Sequence, residues 1–187
     1  MARKEELRKG KVQDIPLSVL SKGNWGEKIS WEFIVSPEPP PRDLCTAVCC
    51  IVMYQNKLVL VRNKRGWEFP AGKIEQGEEP ETAIRREIAE EAGAIIKKPQ
   101  LFGHKKLTAS EPMRRLDDVS FYPFPDSYVL FFHATAESIG DRPTGADVSE
   151  IMLVGYEEAE YLIAQGGQYT NVLEHLMNTG VIPVNQE

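Results

Sequence analysis

The sequence lacks several features that would each point to a particular class of protein. No apolar run approaches the roughly 20 residues that a membrane-spanning helix needs, so we predict no membrane segment. The charged residues 1–6 are not followed by an apolar core, so we expect no secretory signal peptide. Positive charge is not in excess either, because 22 basic residues stand against 28 acidic ones and the formal net charge is −6. This balance argues against binding to bulk nucleic acid.

Cysteine is scarce, with three residues in the chain, Cys45, Cys49 and Cys50. An odd number does not suit a disulfide framework, and no second Cys or Cys/His pair completes a zinc site. Adjacent residues of a strand point to opposite faces, so Cys49 and Cys50 would enter different parts of a core. We interpret all three as buried thiols of a cytoplasmic protein.

The chain of 187 residues, 42% of them hydrophobic, is long enough for one domain with a sizeable core. A proline-rich connector at residues 37–41 divides it into an N-terminal strand extension, residues 1–41, and a main domain, residues 42–187. Within the extension, residues 28–35 predict a strand, with a turn before it at Gly23, Asn24 and Gly26. Two placements are open for the extension: against the main domain, or against a partner subunit in a homodimer.

The main domain interleaves strand-like and helix-like segments. The apolar run at residues 44–53 indicates a central strand buried on both faces, and residues 58–62 are its hairpin partner. Further strands are predicted at residues 101–109, 128–136 and 151–155, and helices at residues 80–92, 157–164 and 170–177. This order is typical of a mixed α/β fold.

The predicted helix at residues 80–92 has an unusual distribution of charge. Pro80 suits a first helical turn and Gly93 suits the left-handed residue beyond the last turn. Glu87, Glu90 and Glu91 occupy roughly 100° of the helix circumference, where like charges three and four residues apart repel. A helix that binds a divalent cation gains from this arrangement, because hard cations take several carboxylate oxygens. The alternative is a solvated acidic face.

A glycine-containing loop precedes this helix. Trp67 to Phe69 is strand-like, and Gly72 and Gly77 allow the following backbone to turn sharply and pass close to a ligand. Clustered glutamates beside such a loop suggest metal-assisted attack on a phosphate ester.

Residues 67–94 resemble the Nudix box of the MutT-type hydrolases, G-x5-E-x7-R-E-U-x-E-E-x-G-U, in which U is a bulky aliphatic residue. The last U position departs from the pattern, since it holds the small Ala94, although Ile95 follows. The matching residues are Gly72, Glu78, Arg86, Glu87, Ile88, Glu90, Glu91 and Gly93. The resemblance implies an α/β/α sandwich around a mixed β-sheet.

The resemblance also implies roles for the residues of the box. Glu87, Glu90 and Glu91 would ligate Mg²⁺, with Mn²⁺ as the other candidate, and the Gly72 carbonyl would be a further ligand. Arg86 would orient the carboxylates by a salt bridge, best made with Glu78. We expect the Glu87–Glu91 pair, one helical turn apart, to be the principal metal clamp. The general base would be a box glutamate or a later carboxylate, and the later candidates are Asp147 and Glu150.

Substrate contacts are harder to assign from sequence. Arg62, Lys64 and Arg65 form a basic cluster that either solvates a loop or contacts phosphate. Asn171 carries the paired donor and acceptor that read a purine edge, and it equally suits a helix N-cap.

The connection at residues 110–126 is long for a compact domain, which favours a functional loop. Pro123, Phe124, Pro125 and Ser127 resemble the end of the S-Q-P-W-P-F-P-x-S pattern of the NADH pyrophosphatases, with Tyr122 in the place of Trp. We predict that Tyr122 and Phe124 form a wall of the substrate site. The alternative is an aromatic loop that packs on the core.

The resemblance implies Mg²⁺-dependent hydrolysis of the pyrophosphate linkage in a nucleoside diphosphate joined to a group X. Oxidised nucleoside triphosphates are the first candidate substrates. A second interpretation is a pyrophosphatase acting on dinucleotides such as NADH or ADP-ribose, or on nucleotide sugars. A third, of another class, is a catalytically silent domain that senses a nucleotide. Each of these predicts a small-molecule nucleotide as partner.

Overall fold

The computed structural model describes residues 18–115, 121–140, 147–164 and 169–182. The strands are β1 Ser18–Trp25, β2 Ile29–Val35, β3 Cys45–Tyr54, β4 Lys57–Asn63, β5 Gly66–Glu68, β6 Ala71–Lys73, β7 Ala94–Ile96, β8 Gln100–Ala109, β9 Asp126–Ile139 and β10 Glu150–Val154. The helices are α1 Pro80–Ala92, α2 Tyr156–Ala164 and α3 Thr170–Asn178, and a short 3-10 turn spans Arg42–Leu44.

The strands form one mixed sheet. Its main order is β1-β2-β8-β9-β3-β4-β10, with β5 beside β4, β6 beside β3 and β7 beside β9. β3 and β9 run parallel. The other pairs of described strands are antiparallel. The prediction of a mixed sheet is therefore confirmed.

β3 lies inside the sheet and is buried on both faces, as its continuous apolar sequence predicts. Val48 and Cys50 belong to the apolar cluster that includes α1. Cys49 and Ile51 belong to the cluster that includes α2 and α3. All three cysteines are free and buried, as expected for structural thiols.

Helices cover both faces of the sheet, which confirms the α/β/α sandwich. Their apolar stripes are fully buried, because each helix presents one side to the strands. Toward the first face α1 buries Ala83, Ile84, Ile88 and Ala92. Toward the second face α2 and α3 bury Ala159, Ile163, Val172, Leu173 and Leu176. Within the described part of the chain, none of the helices has the length and apolarity that crossing a membrane requires.

The expected N-terminal extension contributes two strands to the edge of this sheet, with β2 paired to β8. The turn between β1 and β2 includes Gly26, whose φ is +62°. Gly23 and Asn24 were expected in the turn but lie within β1. The reason is packing: a Cβ on Gly23 would lie 2.8 Å from the Trp31 ring, so glycine admits that ring against the strand.

Candidate active site

The ends of α1 follow from its sequence. Pro80 is the first helical residue, where its missing N–H removes no helix hydrogen bond. Gly93 ends the helix with φ +60°, and its N–H donates to the Ala89 carbonyl at 3.1 Å. Between these ends, Ile84 and Ile88 face the core, so the neighbouring helix face carries the glutamates toward β6.

Gly72 lies against the acidic helix. It was expected in a loop, but it lies in the short strand β6, where it pairs with Val48 of β3. A Cβ at this position would lie 1.9–2.2 Å from the Glu87 carboxylate, closer than any two such atoms can approach. The missing side chain therefore opens the space that the Glu87 carboxylate fills. Beside it, the Ala71 N–H donates to Glu91 Oε2 at 2.9 Å. Two of the three predicted ligands thus meet one short strand.

Arg86 joins the carboxylates of this region. Its guanidinium donates to both oxygens of Glu78 at 3.0 Å, a bidentate pair. It also donates to Glu87 Oε1 at 2.8 Å, to Glu90 Oε2 at 3.3 Å and to the Lys73 carbonyl at 3.0 Å. These contacts place Arg86 where the sequence predicts it, between the box glutamates and Glu78.

The four carboxylates of the site differ in their burial and in their partners. The pKa of Glu91 is raised to about 7, chiefly by burial, while the hydrogen bond from Ala71 opposes the rise and the nearby Glu87 adds to it. Burial likewise raises the pKa of Glu87. The hydrogen bonds from Arg86 lower the pKa of Glu78, and Glu90 is 55% exposed. Glu87 and Glu91 are therefore the two box glutamates whose charged forms are disfavoured by burial, Glu87 in spite of its contact with Arg86.

A cavity of about 530 Å³ opens in front of Glu87 and Glu91. Its walls include Gly72 and Lys73 of β6 and the Tyr169 ring. Tyr169 was not predicted as a site residue. It lies directly before α3, and its ring packs edge-on against the Phe69 ring with 5.9 Å between the ring centres. No local sequence pattern indicates that a residue so distant in sequence from α1 reaches this cavity.

The basic cluster divides between the cavity and the outer surface. Lys64 and Arg65 line the cavity, and the Arg65 guanidinium pairs with Glu68 at 2.8 Å. Contact of these residues with phosphate stays a prediction.

Arg62 does not line the cavity: its guanidinium pairs with Glu150 at 2.7 Å and lies 5.8 Å from the Trp67 ring centre. Arg62 lies inside β4 next to Asn63, which lines the cavity, so the alternation of side chains along the strand directs Arg62 to the other face. Lys64 and Arg65 lie in the turn beyond the end of β4, where this alternation no longer applies.

The two later carboxylates differ in the same way. Asp147 is exposed and lines the cavity. Glu150 is the first residue of β10, where its carboxylate is held by Arg62. Asp147 is therefore the later carboxylate that can reach a bound substrate, whereas Glu150 is directed to the protein surface.

The loop between β8 and β9 is described at its two ends, residues 110–115 and 121–125. The Tyr122 N–H donates to the Met113 carbonyl at 2.9 Å, so the two ends of the loop approach each other. Tyr122 lines a second cavity that adjoins the first. Phe124 lines neither cavity and is 52% exposed, so the structure does not support it as a contact.

Asn171 is also not positioned as predicted. It lies in a separate surface depression with Leu20, Glu174 and His175, and not beside the acidic helix. Nor is it an N-cap, because α3 begins at Thr170 after Tyr169. The turn of the helix that brings Tyr169 to the cavity directs Asn171 away from it.

The model of the NUDIX domain family matches residues 43–175, which is more than two thirds of the chain. This chain is a member of the Nudix family.

Two curated relatives match part of this Nudix chain. The putative 8-oxo-dGTP diphosphatase YtkD of Bacillus subtilis is 36% identical over 75 residues, 40% of this chain and 48% of its own length. The 8-oxo-dGTP diphosphatase of Escherichia coli is 35% identical over 80 residues, 43% of this chain and 50% of its own length. The chain thus spans about half the length of these relatives.

Solved structures support the fold. The B. subtilis pyrophosphohydrolase BsRppH aligns over 82% of this chain and 94% of its own, with a TM-score of 0.59 and 20% identity. A Caenorhabditis elegans Ap4A hydrolase aligns over 72% and 98%, with a TM-score of 0.51 and 15% identity. At these identities the likeness concerns the fold alone.

Nudix proteins generally depend on a divalent metal ion. Among the described residues, no three His, Cys, Asp or Glu side chains stand close enough together to hold one. The donors nevertheless fit a hard cation, because Glu87 and Glu91 are oxygen ligands brought to one strand. Burial raises the pKa values of both carboxylates, and a bound cation would offset the cost of their charged forms.

Proposed function

We propose that this Nudix protein hydrolyses the pyrophosphate linkage of a nucleoside diphosphate joined to a second group, with Mg²⁺ as its metal. Oxidised nucleoside triphosphates are the first substrates to test, because both curated relatives carry the name of an 8-oxo-dGTP diphosphatase. The observation that carries the proposal is the approach of Glu87 and Glu91 to β6 beside a cavity with basic side chains.

The residues of the site would divide the work as follows. Glu87 and Glu91 would hold the ion, and the carbonyl of Gly72 is the backbone candidate for a further ligand. A divalent ion bound there supplies neutralisation of phosphate charge and activation of water. Arg86 keeps the Glu87 carboxylate in place through its own bidentate bond to Glu78.

The hydrolysis itself needs a base. The oxygen of water bonds to phosphorus, the bridging P–O bond breaks, and one proton of the water passes to a carboxylate. Asp147 lines the cavity and is the first candidate for this role. Glu90 is the second, since it is exposed and its contact with Arg86 is long. A pH profile of kcat that loses its acidic limb in one of Asp147→Asn and Glu90→Gln would identify the base.

A substrate screen tests the proposal. Purified protein with Mg²⁺, and separately with Mn²⁺, would be assayed against 8-oxo-dGTP, dGTP, NADH, ADP-ribose and diadenosine polyphosphates. We expect turnover that disappears in excess EDTA and returns when Mg²⁺ is restored. Turnover that persists unchanged in EDTA would contradict the metal mechanism. A preference for NADH or ADP-ribose would favour the dinucleotide interpretation instead.

The silent-sensor interpretation has its own outcome in this screen. Nucleotide binding without turnover of any substrate, with Mg²⁺ or Mn²⁺, would support it. Glu87→Gln is the matched control, because it preserves the shape of the side chain while it removes its charge. If wild type hydrolyses a nucleotide and Glu87→Gln binds the same nucleotide without hydrolysing it, the site is catalytic.

A further inference from the structure

A second cavity, of about 230 Å³, adjoins the cavity in front of the acidic helix. Its walls come from three parts of the chain that are far apart in sequence. The β1–β2 hairpin contributes Trp25 and Ile29, β8 contributes Leu107, and the loop before β9 contributes Met113 and Tyr122. Most of this lining is apolar or aromatic, in contrast to the charged lining of the first cavity.

The two cavities form one continuous depression. Ala47, Lys73 and Val129 line both of them. Ala47 pairs with Lys73 in the register between β3 and β6, and the next pair is Val48 with Gly72. Since one residue advances a strand by about 3.3 Å, the boundary between the cavities is a single residue from the glycine that abuts Glu87.

The Trp25 ring, which forms part of the wall, is contacted by a buried lysine. The Lys105 ammonium lies 5.2 Å from the Trp25 ring centre and 4.8 Å from the Tyr169 ring centre. Lys105 is 1% exposed, so this contact is desolvated and stronger than a surface one. Tyr169 lines the first cavity and Trp25 the second. One buried cation therefore contacts the ring walls of both cavities and restrains them.

Among the described residues that line this cavity, the one cation is Lys73, at the boundary with the first cavity. The apolar aromatic interior does not suit the phosphates, because an anion placed there would lose its water. A planar nucleobase, in contrast, can stack on Trp and Tyr rings whichever hydrogen-bonding groups it carries on its edges. Thr46 and Ser127 add two aliphatic hydroxyl groups to the lining of the cavity. The Thr46 hydroxyl donates to the Tyr128 carbonyl at 3.2 Å, so its oxygen retains a lone pair for a base N–H.

We infer that this cavity, walled by Trp25 and Tyr122, binds the nucleobase of the substrate while the phosphates lie before Glu87 and Glu91. The inference rests on the proposed function and deepens it. It makes the β1–β2 hairpin, which precedes the residues matched by the family model, a determinant of base affinity. The hairpin would thus act in binding as well as in closing the edge of the sheet.

The test compares two ligands that differ only in the base. Guanosine 5′-monophosphate and ribose 5-phosphate would be titrated with Mg²⁺ present, by calorimetry and by quenching of tryptophan fluorescence. We expect guanosine 5′-monophosphate to bind about 10-fold more tightly, which lies within the range that a stacked base contributes. Equal affinities for the two ligands would overturn the inference.

Variants then locate the base. Trp25→Ala and Tyr122→Ala should each weaken guanosine 5′-monophosphate by about 10-fold and leave ribose 5-phosphate unchanged. Trp25→Phe keeps a ring and should stay within about 3-fold of wild type, which separates lost stacking from misfolding. Phe124→Ala is the matched control, since Phe124 belongs to the same loop and lines neither cavity. Equal loss for both ligands, or equal loss in Phe124→Ala, would overturn the inference.

Failure of the inference is distinguishable from failure of the proposed function. If no nucleotide is hydrolysed but the base still improves binding through Trp25, the cavity stands and the proposed activity fails. If nucleotides are hydrolysed and Trp25→Ala lowers kcat/KM equally for a nucleoside triphosphate and for base-free phosphoribosyl pyrophosphate, the activity stands and the cavity does not bind the base.

Discussion

Replacement of Gly72 by alanine is the sharpest perturbation that the structure offers. The new Cβ would lie 1.9 Å from the Glu87 carboxyl carbon and 2.0–2.2 Å from its oxygens. Ordinary contact between such atoms begins near 3.4 Å, so the carboxylate must retreat by about 1.5 Å. A displacement of about 1 Å in a catalytic group costs on the order of 100-fold in rate. We expect Gly72→Ala to lower kcat by about this factor and to weaken Mg²⁺ binding.

The fold should survive this substitution. The clash is with the far end of a flexible side chain, and the backbone of Gly72 is not in the left-handed region that favours glycine. Alanine also costs less conformational entropy in a strand than glycine, an effect of about 0.5–1 kcal/mol. The melting temperature should therefore stay within a few degrees of wild type, although the contact of Arg86 with Glu87 is disturbed.

The assay pairs steady-state kinetics on the best substrate with Mg²⁺ titration and thermal unfolding. Gly140→Ala is the matched control, because a Cβ there meets its nearest neighbour, the Gly93 carbonyl, at an ordinary 3.7 Å. Gly140→Ala should retain wild-type kcat. Wild-type kcat and Mg²⁺ affinity in Gly72→Ala would refute the role given to the glycine, and an unfolded Gly72→Ala would refute the local nature of the clash.

Three further predictions follow from the same contacts. Arg86→Ala should lower kcat by about 100-fold with a loss of a few degrees in melting temperature. Arg86→Lys should not rescue kcat, because an ammonium cannot make the bidentate bond to Glu78. The neighbouring Arg85→Ala is the control, and an equal loss of kcat in that variant would contradict a specific role for Arg86. Glu91→Gln should weaken Mg²⁺ binding, measured by titration, more than Glu90→Gln, because Glu91 is hydrogen-bonded to Ala71 of β6 and Glu90 is half-exposed. The reverse order would place the metal clamp elsewhere. Burial lowers the pKa of Lys105 to about 8 from an ordinary 10.5. Between these two pH values the unfolded chain binds more protons than the folded one. The free energy of unfolding should therefore rise with pH across that window, by up to about 3 kcal/mol. Urea unfolding at pH 7.5 and pH 10 should show this rise relative to Lys105→Met, and parallel pH dependence in both proteins would contradict it.

The sequence by itself determined the local features of this protein. The bounds of α1 follow from Pro80 and Gly93, because both act on the backbone at their own positions. The separation of Glu87 and Glu91 by one helical turn follows from helix geometry. The burial of β3 on both faces follows from its unbroken apolar run. Each of these is fixed by interactions within a few residues of the chain.

The box pattern also carried the prediction that Arg86 pairs with Glu78, eight residues away, and the structure contains that pair. The pattern failed where the direction of a side chain depends on where a strand ends. Lys64 reaches the cavity whereas Arg62 is bound by Glu150 on the outer side, and no composition rule separates two basic residues two positions apart. Arg62 lies inside β4 opposite Glu150 of β10, whereas Lys64 lies in the turn beyond the end of β4.

Only the tertiary structure decided which distant segments meet at the site. Gly72 lies against the Glu87 carboxylate because β6 pairs with β3 beneath α1, and these contacts join segments that are far apart in sequence. Tyr169 lines the cavity and Asn171 lines a separate depression, because side chains two residues apart at the start of a helix point in different directions. Trp25 reaches the second cavity because β2 pairs with β8 and carries β1 with it. Such contacts depend on the register of strands and the packing of helices across the whole sheet, which local propensity does not encode.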